Sequence, residues 1–174
     1  MISNSSPLIV FGKIGKLDLR FKVYKKIEIA PAVFFEVVEQ GGKINAPESF
    51  LIKEFAEKGL IEQKKLAPEW KKKALFFEKI YSQIDRGEAE TIALAMQENQ
   101  KTLLMDEKIA REIAIINGIQ PHGSLKVLLL SFKSKIITEK ELREIMLEIT
   151  STKFRLSAEV INRFWILFEE LKAK

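Results

Sequence analysis

The chain has no cysteine. Disulfides, thiolate metal sites and cysteine nucleophiles are therefore excluded. It has one histidine, His122, so His-rich zinc sites are ruled out and a His-dependent triad is disfavoured. His122 follows Pro121 and is expected in a loop, as a structural or surface residue. No apolar run approaches the ~18 residues that a spanning helix needs, and no basic-then-apolar leader opens the chain. The expectation is a soluble, cytoplasmic protein with no membrane partner. Neither charge sign dominates: 29 Lys+Arg face 24 Asp+Glu, a formal net charge of +5. That mild excess permits an acidic partner such as RNA without demanding one, because the signs are mixed along the chain. The one compact basic run, Lys71-Lys72-Lys73, suits a solvated helix face or a phosphate contact.

What is present is core-forming residue. Hydrophobic residues make up 47% of 174, enough for an ordinary single domain and too many for a disordered chain. Short apolar strands alternate with helical patterns. "MIS" reads as a buried strand, followed by Ser6 as N-cap and Pro7 as first helical residue. "KKIEIAP" is a second strand, and Pro31 opens "PAVFFEVVEQGG", a helix closed by glycines. "PESFLIKEFAEKG", "APEWKKKALFFEKIYSQI", "DRGEAETIALAMQEN", "EKIAREIAIING" and "SLKVLLLSFKSK" read as helices. "LIEQKKL" is a possible edge strand and "TLLM" a short apolar one. Strands alternating with helices indicate an α/β domain with a mainly parallel sheet. The tail differs. "TEKELREIMLEI" starts with a Thr138-x-x-Glu141 capping box, and "SAEVINRFWILFEELK" is a last amphipathic helix. Residues 136–174 are thus expected to form a helical extension on a domain spanning 1–135.

Ligands of open α/β sheets bind at the carboxyl ends of the strands. Two polar residues directly follow strand segments: Asn4 after "MIS" and Asp106 after "TLLM". Two helices add carboxylates. In "PAVFFEVVEQ", Val33, Phe34, Val37 and Val38 form the buried stripe, with Glu36 on its flank and Glu39 opposite. In "GEAETIALAM", Glu88 and Glu90 flank the stripe on opposite sides, and periodicity does not choose between them. Each residue also has a plain reading: Asp85 and Glu88 can form a capping pair, and Asp106 can cap the next helix. Carboxylates converging on one cleft would raise one another's pKa, a cost that a divalent cation removes. Oxygen-only ligands point to Mg²⁺ or Mn²⁺.

"MISNSSPLIVFGKIGKLDL", "IEIAPAVFFEVVEQ", "DRGEAETIALAM", "TLLMDEKIAREIAIINGI" and "GSLKVLLL" follow one another in the order of the PIN-domain family. The chain most resembles the branch with a Gly-Glu-x-Glu helix start. The resemblance implies a three-layer α/β/α sandwich over residues 1–135. It implies a Mg²⁺- or Mn²⁺-dependent endoribonuclease, often the toxin of a toxin–antitoxin pair. Carried over by position, the acidic site is Asn4, Glu36, Glu88 and Asp106, with Glu88 preferred to Glu90 by its spacing to Ala95. Ser6 matches a small hydroxyl residue near the first acidic position. Ser124 matches a small polar helix start whose N–H groups can bind phosphate. Lys108 and Arg111, just after Asp106, are candidate contacts to the substrate backbone. Position 4 is usually aspartate in the family. Asparagine here keeps a carbonyl oxygen for a metal but no charge, which makes a binding module without nuclease activity the alternative reading. In the last helix Val160, Ile161, Phe164, Trp165, Phe168 and Leu171 form one apolar stripe, with Ile166 opposite. Apolar surface there offers an interface to a second subunit, as in a homodimer, or to an antitoxin helix.

Overall fold

A computed structural model describes residues 1–173. Five short strands form one all-parallel sheet in the order β3-β2-β1-β4-β5. They are β1 (Ile2–Ser3), β2 (Ile27–Ile29), β3 (Ile61–Gln63), β4 (Thr102–Leu104) and β5 (Gln120–His122). Ile2, Ser3, Ile27, Ile29, Leu103 and Leu104 are all buried, as both faces of a parallel sheet are when helices cover them. The strand order reverses between β1 and β4, and this is where an open α/β sheet leaves a crevice at its carboxyl end. This is the α/β/α sandwich that the sequence implied.

The helices are α1 (Ser5–Lys13), α2 (Asp18–Tyr24), α3 (Pro31–Phe34), α4 (Gly41–Lys43), α5 (Pro47–Glu57), α6 (Pro68–Ile80), α7 (Arg86–Gln97), α8 (Lys108–Ile116), α9 (Ser124–Lys133), α10 (Glu139–Ser151) and α11 (Ala158–Lys172). Proline occupies the first turn of α3, α5 and α6, where its missing N–H has no partner to lose. Capping boxes open α7 (Asp85 with Glu88) and α10 (Thr138 with Glu141), as the sequence patterns require.

Four expectations need correction. Asn4, not Ser6, takes the N-cap position of α1, and the helix starts at Ser5. Pro7 still sits in the first turn, where no intrahelical donor is needed. The helix opened by Pro31 does not stop at the glycines; a π-helical stretch, Phe35–Gln40, carries it on into α4. A short helix, α2, follows α1 where no element was expected. His122 closes β5 rather than lying in a loop, with its ring beside Tyr24 (Nδ1 to Oη 3.2 Å).

α10 and α11 both lie against α9. Phe168 of α11 packs on Phe132 with ring centroids 4.9 Å apart, and Phe164 and Phe168 are buried. The Arg143 guanidinium of α10 stands 5.0 Å from the Trp165 ring. Most of the apolar stripe of the last helix is thus spent on the core, while Ile166 and Val160 remain exposed. No described helix is long and apolar enough to cross a membrane.

Candidate active site

β1 ends at Ser3, and the next three side chains, Asn4, Ser5 and Ser6, all reach the crevice. Asn4 is 2% exposed, and its backbone N–H donates to Leu104 of β4, so the two central strands hold it. Its carboxamide works in two directions. Nδ2 donates to Glu107 Oε2 (3.4 Å), and Oδ1 lies 3.4 Å from Ser5 Oγ. Ser5 Oγ donates to Glu36 Oε2 at 2.6 Å. Ser6 Oγ donates to Glu107 Oε1. Glu36 stands in the π-helical stretch, half-buried, while Glu39 faces water.

α7 brings the third carboxylate. Glu88 is 5% exposed, and its Oε2 accepts the N–H of Asp85 at 2.8 Å. Glu90 is turned elsewhere. It accepts from the Ala32 N–H (2.9 Å) and from Arg86 Nε (2.8 Å), tying the start of α3 to α7. The glycine between Arg86 and Glu88 has a specific use. A Cβ at Gly87 would lie 3.2 Å from Asp85 Oδ1, 3.5 Å from Glu36 Oε2 and 3.6 Å from Asn4 Oδ1. Three oxygens from three separate segments therefore border one small space, which a methyl group at position 87 would partly fill.

The electrostatics agree with this geometry. Burial pushes Glu36 above the usual carboxylate range; the Ser5 hydrogen bond opposes this, and the charges of Asp85 and Glu107 add to it. Burial raises Glu88 to about 7, against the Asp85 N–H, and Asp85, Glu107 and Glu36 push it further. The charge of Glu107 thus acts on both Glu36 and Glu88, and that of Glu36 on Glu88, as like charges in one cleft.

Asp106 is placed differently from Glu107. Its two oxygens accept from Ser124, Oδ1 from the N–H at 2.7 Å and Oδ2 from the hydroxyl at 2.6 Å. Its pKa is raised by burial and by Glu107, and lowered by Ser124 and by Arg20. The first N–H of α9, expected to be free for phosphate, is thus engaged by Asp106. A side chain at position 123 would crowd this contact, since a Cβ there would lie 3.0 Å from Asp106 Oδ1. Arg111 Nη1 donates to the Met105 carbonyl at 2.8 Å, which holds it against the end of β4. Lys108 is exposed. The acidic residue that meets Asn4 and Ser6 is Glu107, which is not among the sequence candidates.

These features fit a family. A model of the PIN domain matches residues 1–170. The chain belongs to the PIN-domain family. PIN domains are typically nucleases, commonly bind RNA and generally use divalent metal ions. No curated protein and no solved structure matches the chain significantly.

The residues of this PIN domain fit a hard divalent cation. All the donors are oxygens, they come from Asn4, Glu36, Glu88, Glu107 and Asp85, and their mutual repulsion is the kind that a cation relieves. Among the described residues no three His, Asp or Glu side chains stand close enough to make a ready-formed cage. An ion held here would keep several of its waters, as Mg²⁺ does in such sites.

Proposed function

We propose that this PIN domain is a Mg²⁺- or Mn²⁺-dependent endoribonuclease and the toxin of a toxin–antitoxin pair. The observation that carries the reading is the oxygen-bordered space at Gly87, flanked by Asp85, Glu36 and Asn4. Glu36, Glu88 and Glu107, with the Asn4 carbonyl, would hold the ion. Asp106 contributes by anchoring the first turn of α9 beside Glu107. When bound, the ion supplies an activated water for attack on a phosphodiester and offsets charge on the leaving oxygen. The chain supplies positioning: Ser5 fixes Glu36, Asn4 and Ser6 fix Glu107, and the capping box fixes Glu88. Without a cation Glu88 holds a proton for part of the time near neutrality, and that proton leaves as a cation arrives. Lys108, exposed at the start of α8, would contact the RNA backbone.

A second reading is an RNA- or protein-binding PIN-like module that does not cleave. Asn4 favours it, because the site then has one carboxylate fewer than an aspartate there would give. Incubation of mixed RNA with Mn²⁺ and the purified protein separates the two, with Glu36→Gln as control. Cleavage lost in the control supports the enzyme, and RNA retention without cleavage supports the module. Single-stranded DNA in the same assay tests the substrate class. For the toxin assignment, the observation is growth arrest on expression, relieved by a protein encoded next to this one.

A further inference from the structure

An acidic crevice repels a polyanion, so a nucleic acid brought to it needs cations close by. The rim supplies few. Arg111 is held by the Met105 carbonyl and Arg86 by Glu90, while Lys108 is exposed. α6 supplies more. It turns Ala74 and Phe77 to the core and packs along α7. At ~100° per residue, the side opposite that buried stripe belongs to Lys72 and Lys79, with Leu75 and Phe76 between them. All four are exposed, Leu75 by 61% and Phe76 by 52%. Lys73 sets its ammonium 5.5 Å from the centroid of the Phe76 ring and 4.9 Å from that of Phe77, so a positive charge stays beside the exposed ring. Among the described residues no carboxylate lies within ion-pair distance of Lys71, Lys72, Lys73 or Lys79. Glu69 and Glu78 are the acidic residues of the helix, two against four lysines.

Two observations select the occupant of this face. Lysine is depleted at protein–protein interfaces, yet here it holds the most outward positions of a partly apolar helix. Lysines interleaved with an exposed aromatic ring are instead the make-up of a surface for single-stranded nucleic acid, where cations meet phosphates and the ring stacks on a base. The other observation is position. α6 ends at Ile80, the Ile84 N–H closes a turn onto the Tyr81 carbonyl at 3.1 Å, and Asp85 follows. The end Cα atoms of such a turn lie within about 7 Å, so Ile80 and Asp85 are at most about 15 Å apart. Asp85 Oδ1 borders the space at Gly87. The basic face thus leads to the rim of the crevice.

We infer that the outer face of α6 is a binding track for single-stranded RNA: Lys72 and Lys79, about 10 Å apart along the helix axis, hold phosphates, and Phe76 between them stacks on a base. Its part in cleavage rests on the nuclease reading above; the binding of RNA does not.

The probe is a labelled oligouridylate of about 12 nucleotides. Its binding is read by fluorescence anisotropy in chelator, over a range of salt, for the wild type, Lys72→Ala/Lys79→Ala, Phe76→Ala and Phe76→Tyr. The double lysine variant should bind more weakly and lose about 1.4 from the slope of log affinity against log salt, because each phosphate contact on a single strand contributes about 0.7. Phe76→Ala should weaken binding about tenfold at an unchanged slope, as the loss of one stacked base does. Phe76→Tyr keeps a ring and should bind as the wild type does. All three residues are exposed, so melting temperatures and their rise with Mn²⁺ should match the wild type in every variant. In cleavage assays Lys72→Ala/Lys79→Ala and Phe76→Ala should raise KM and leave kcat unchanged. Wild-type affinity and salt slope in those two variants overturn the inference and leave the nuclease reading standing. RNA binding that depends on these residues, in a protein that does not cleave with Mn²⁺, supports the track and sinks the nuclease reading instead. A wild type that leaves the oligouridylate free overturns the inference. Binding of a synthetic helical peptide of glutamate and leucine, lost in the lysine variant, would then assign the face to a protein.

Discussion

The Ser5 hydroxyl donates to Glu36 Oε2 at 2.6 Å across the gap between α1 and the π-helical stretch. Ser5 is the residue that brings Glu36 and Asn4 to one edge of the crevice, since its oxygen is also 3.4 Å from Asn4 Oδ1. Removing the hydroxyl in Ser5→Ala frees Glu36 to rotate and takes away the hydrogen bond that opposes its raised pKa. Mn²⁺ affinity should fall roughly 10-fold, as for other supports of metal ligands. Stability should fall by about 1 kcal/mol, the usual worth of a hydrogen bond. Calorimetric titration with thermal unfolding checks both; equal metal affinity in the two proteins would detach Ser5 from the site.

Gly87→Ala should separate stability from binding. An alanine in a helix is favoured over glycine by about 0.5–1 kcal/mol, so the metal-free fold should be as stable as the wild type or slightly more so. The new methyl group, however, would stand 3.2 Å from Asp85 Oδ1 and close to the oxygens of Glu36 and Asn4. It intrudes where a cation would lie. The expected result is a melting temperature at or above that of the wild type, with the Mn²⁺-induced rise in melting temperature strongly reduced. A full Mn²⁺ response would show that the ion lies elsewhere.

The pH dependence of the metal-free protein follows from Glu88. Its folded pKa of about 7 lies above its value in an unfolded chain, about 4.3. Below the lower value both states are protonated and there is no penalty. As pH rises through the window between the two, the unfolded chain ionises first and folding loses stability, until the loss is complete above about 7. Glu36, also raised, acts in the same direction. Metal-free protein should therefore melt lower at pH 8 than at pH 6, by about 1 kcal/mol in stability from Glu88, most of the loss having accrued below pH 6. Glu88→Gln keeps an acceptor for the Asp85 N–H and should flatten the slope. A slope unchanged in that variant would assign it to other groups.

Much of this arrangement is readable in the sequence, and the missing parts have physical reasons. The order of apolar segments gives the parallel sheet, and the prolines at 31, 47 and 68 mark true helix starts. The helical wheel puts Glu36 at the cleft and Glu39 in water, as found. It cannot show the π-helical stretch, because that wider turn changes the angle per residue without changing the residues. β5 hides because it is three residues long and contains Pro121. The choice between Asp106 and Glu107 is the instructive case. Both residues lie between β4 and α8, outside any periodic element, so no helix or strand pattern assigns their partners: Asp106 takes the N–H and hydroxyl of Ser124, and Glu107 meets Asn4 and Ser6. The small residues Gly123-Ser124 are the available signal: a helix start with a hydroxyl is a partner for one carboxylate of the pair. The last helix read correctly as amphipathic, but only packing reveals that Phe164 and Phe168 are buried while Ile166 is exposed.

Asn4 offers the sharpest test, because its two ends do different things. Nδ2 donates to Glu107 and Oδ1 borders the space at Gly87. Asn4→Asp keeps the second contact and reverses the first, setting a carboxylate against Glu107 at 3.4 Å, where an attraction stood. Two unit charges at that range repel by about 4–5 kcal/mol at an effective dielectric of 20. Protonation of one of them and rotation of Glu107 away from the crevice relieve most of this, so the net loss of metal-free stability should be about 1–2 kcal/mol. A cation between the two removes the repulsion and gains a charged ligand. Binding should therefore be tighter in the variant, by roughly 5- to 30-fold if that loss is recovered on binding. The melting temperature of Asn4→Asp should lie below that of the wild type in chelator and meet or pass it as Mn²⁺ is added. RNA cleavage at limiting Mn²⁺ should rise with the affinity if the amide only stands in for a ligand. It should fall, with affinity still raised, if the Asn4–Glu107 hydrogen bond sets the geometry of the reacting site. Parallel Mn²⁺ responses of the two proteins would mean that residue 4 does not face the ion, and the assignment of this crevice as the metal site would fall with it.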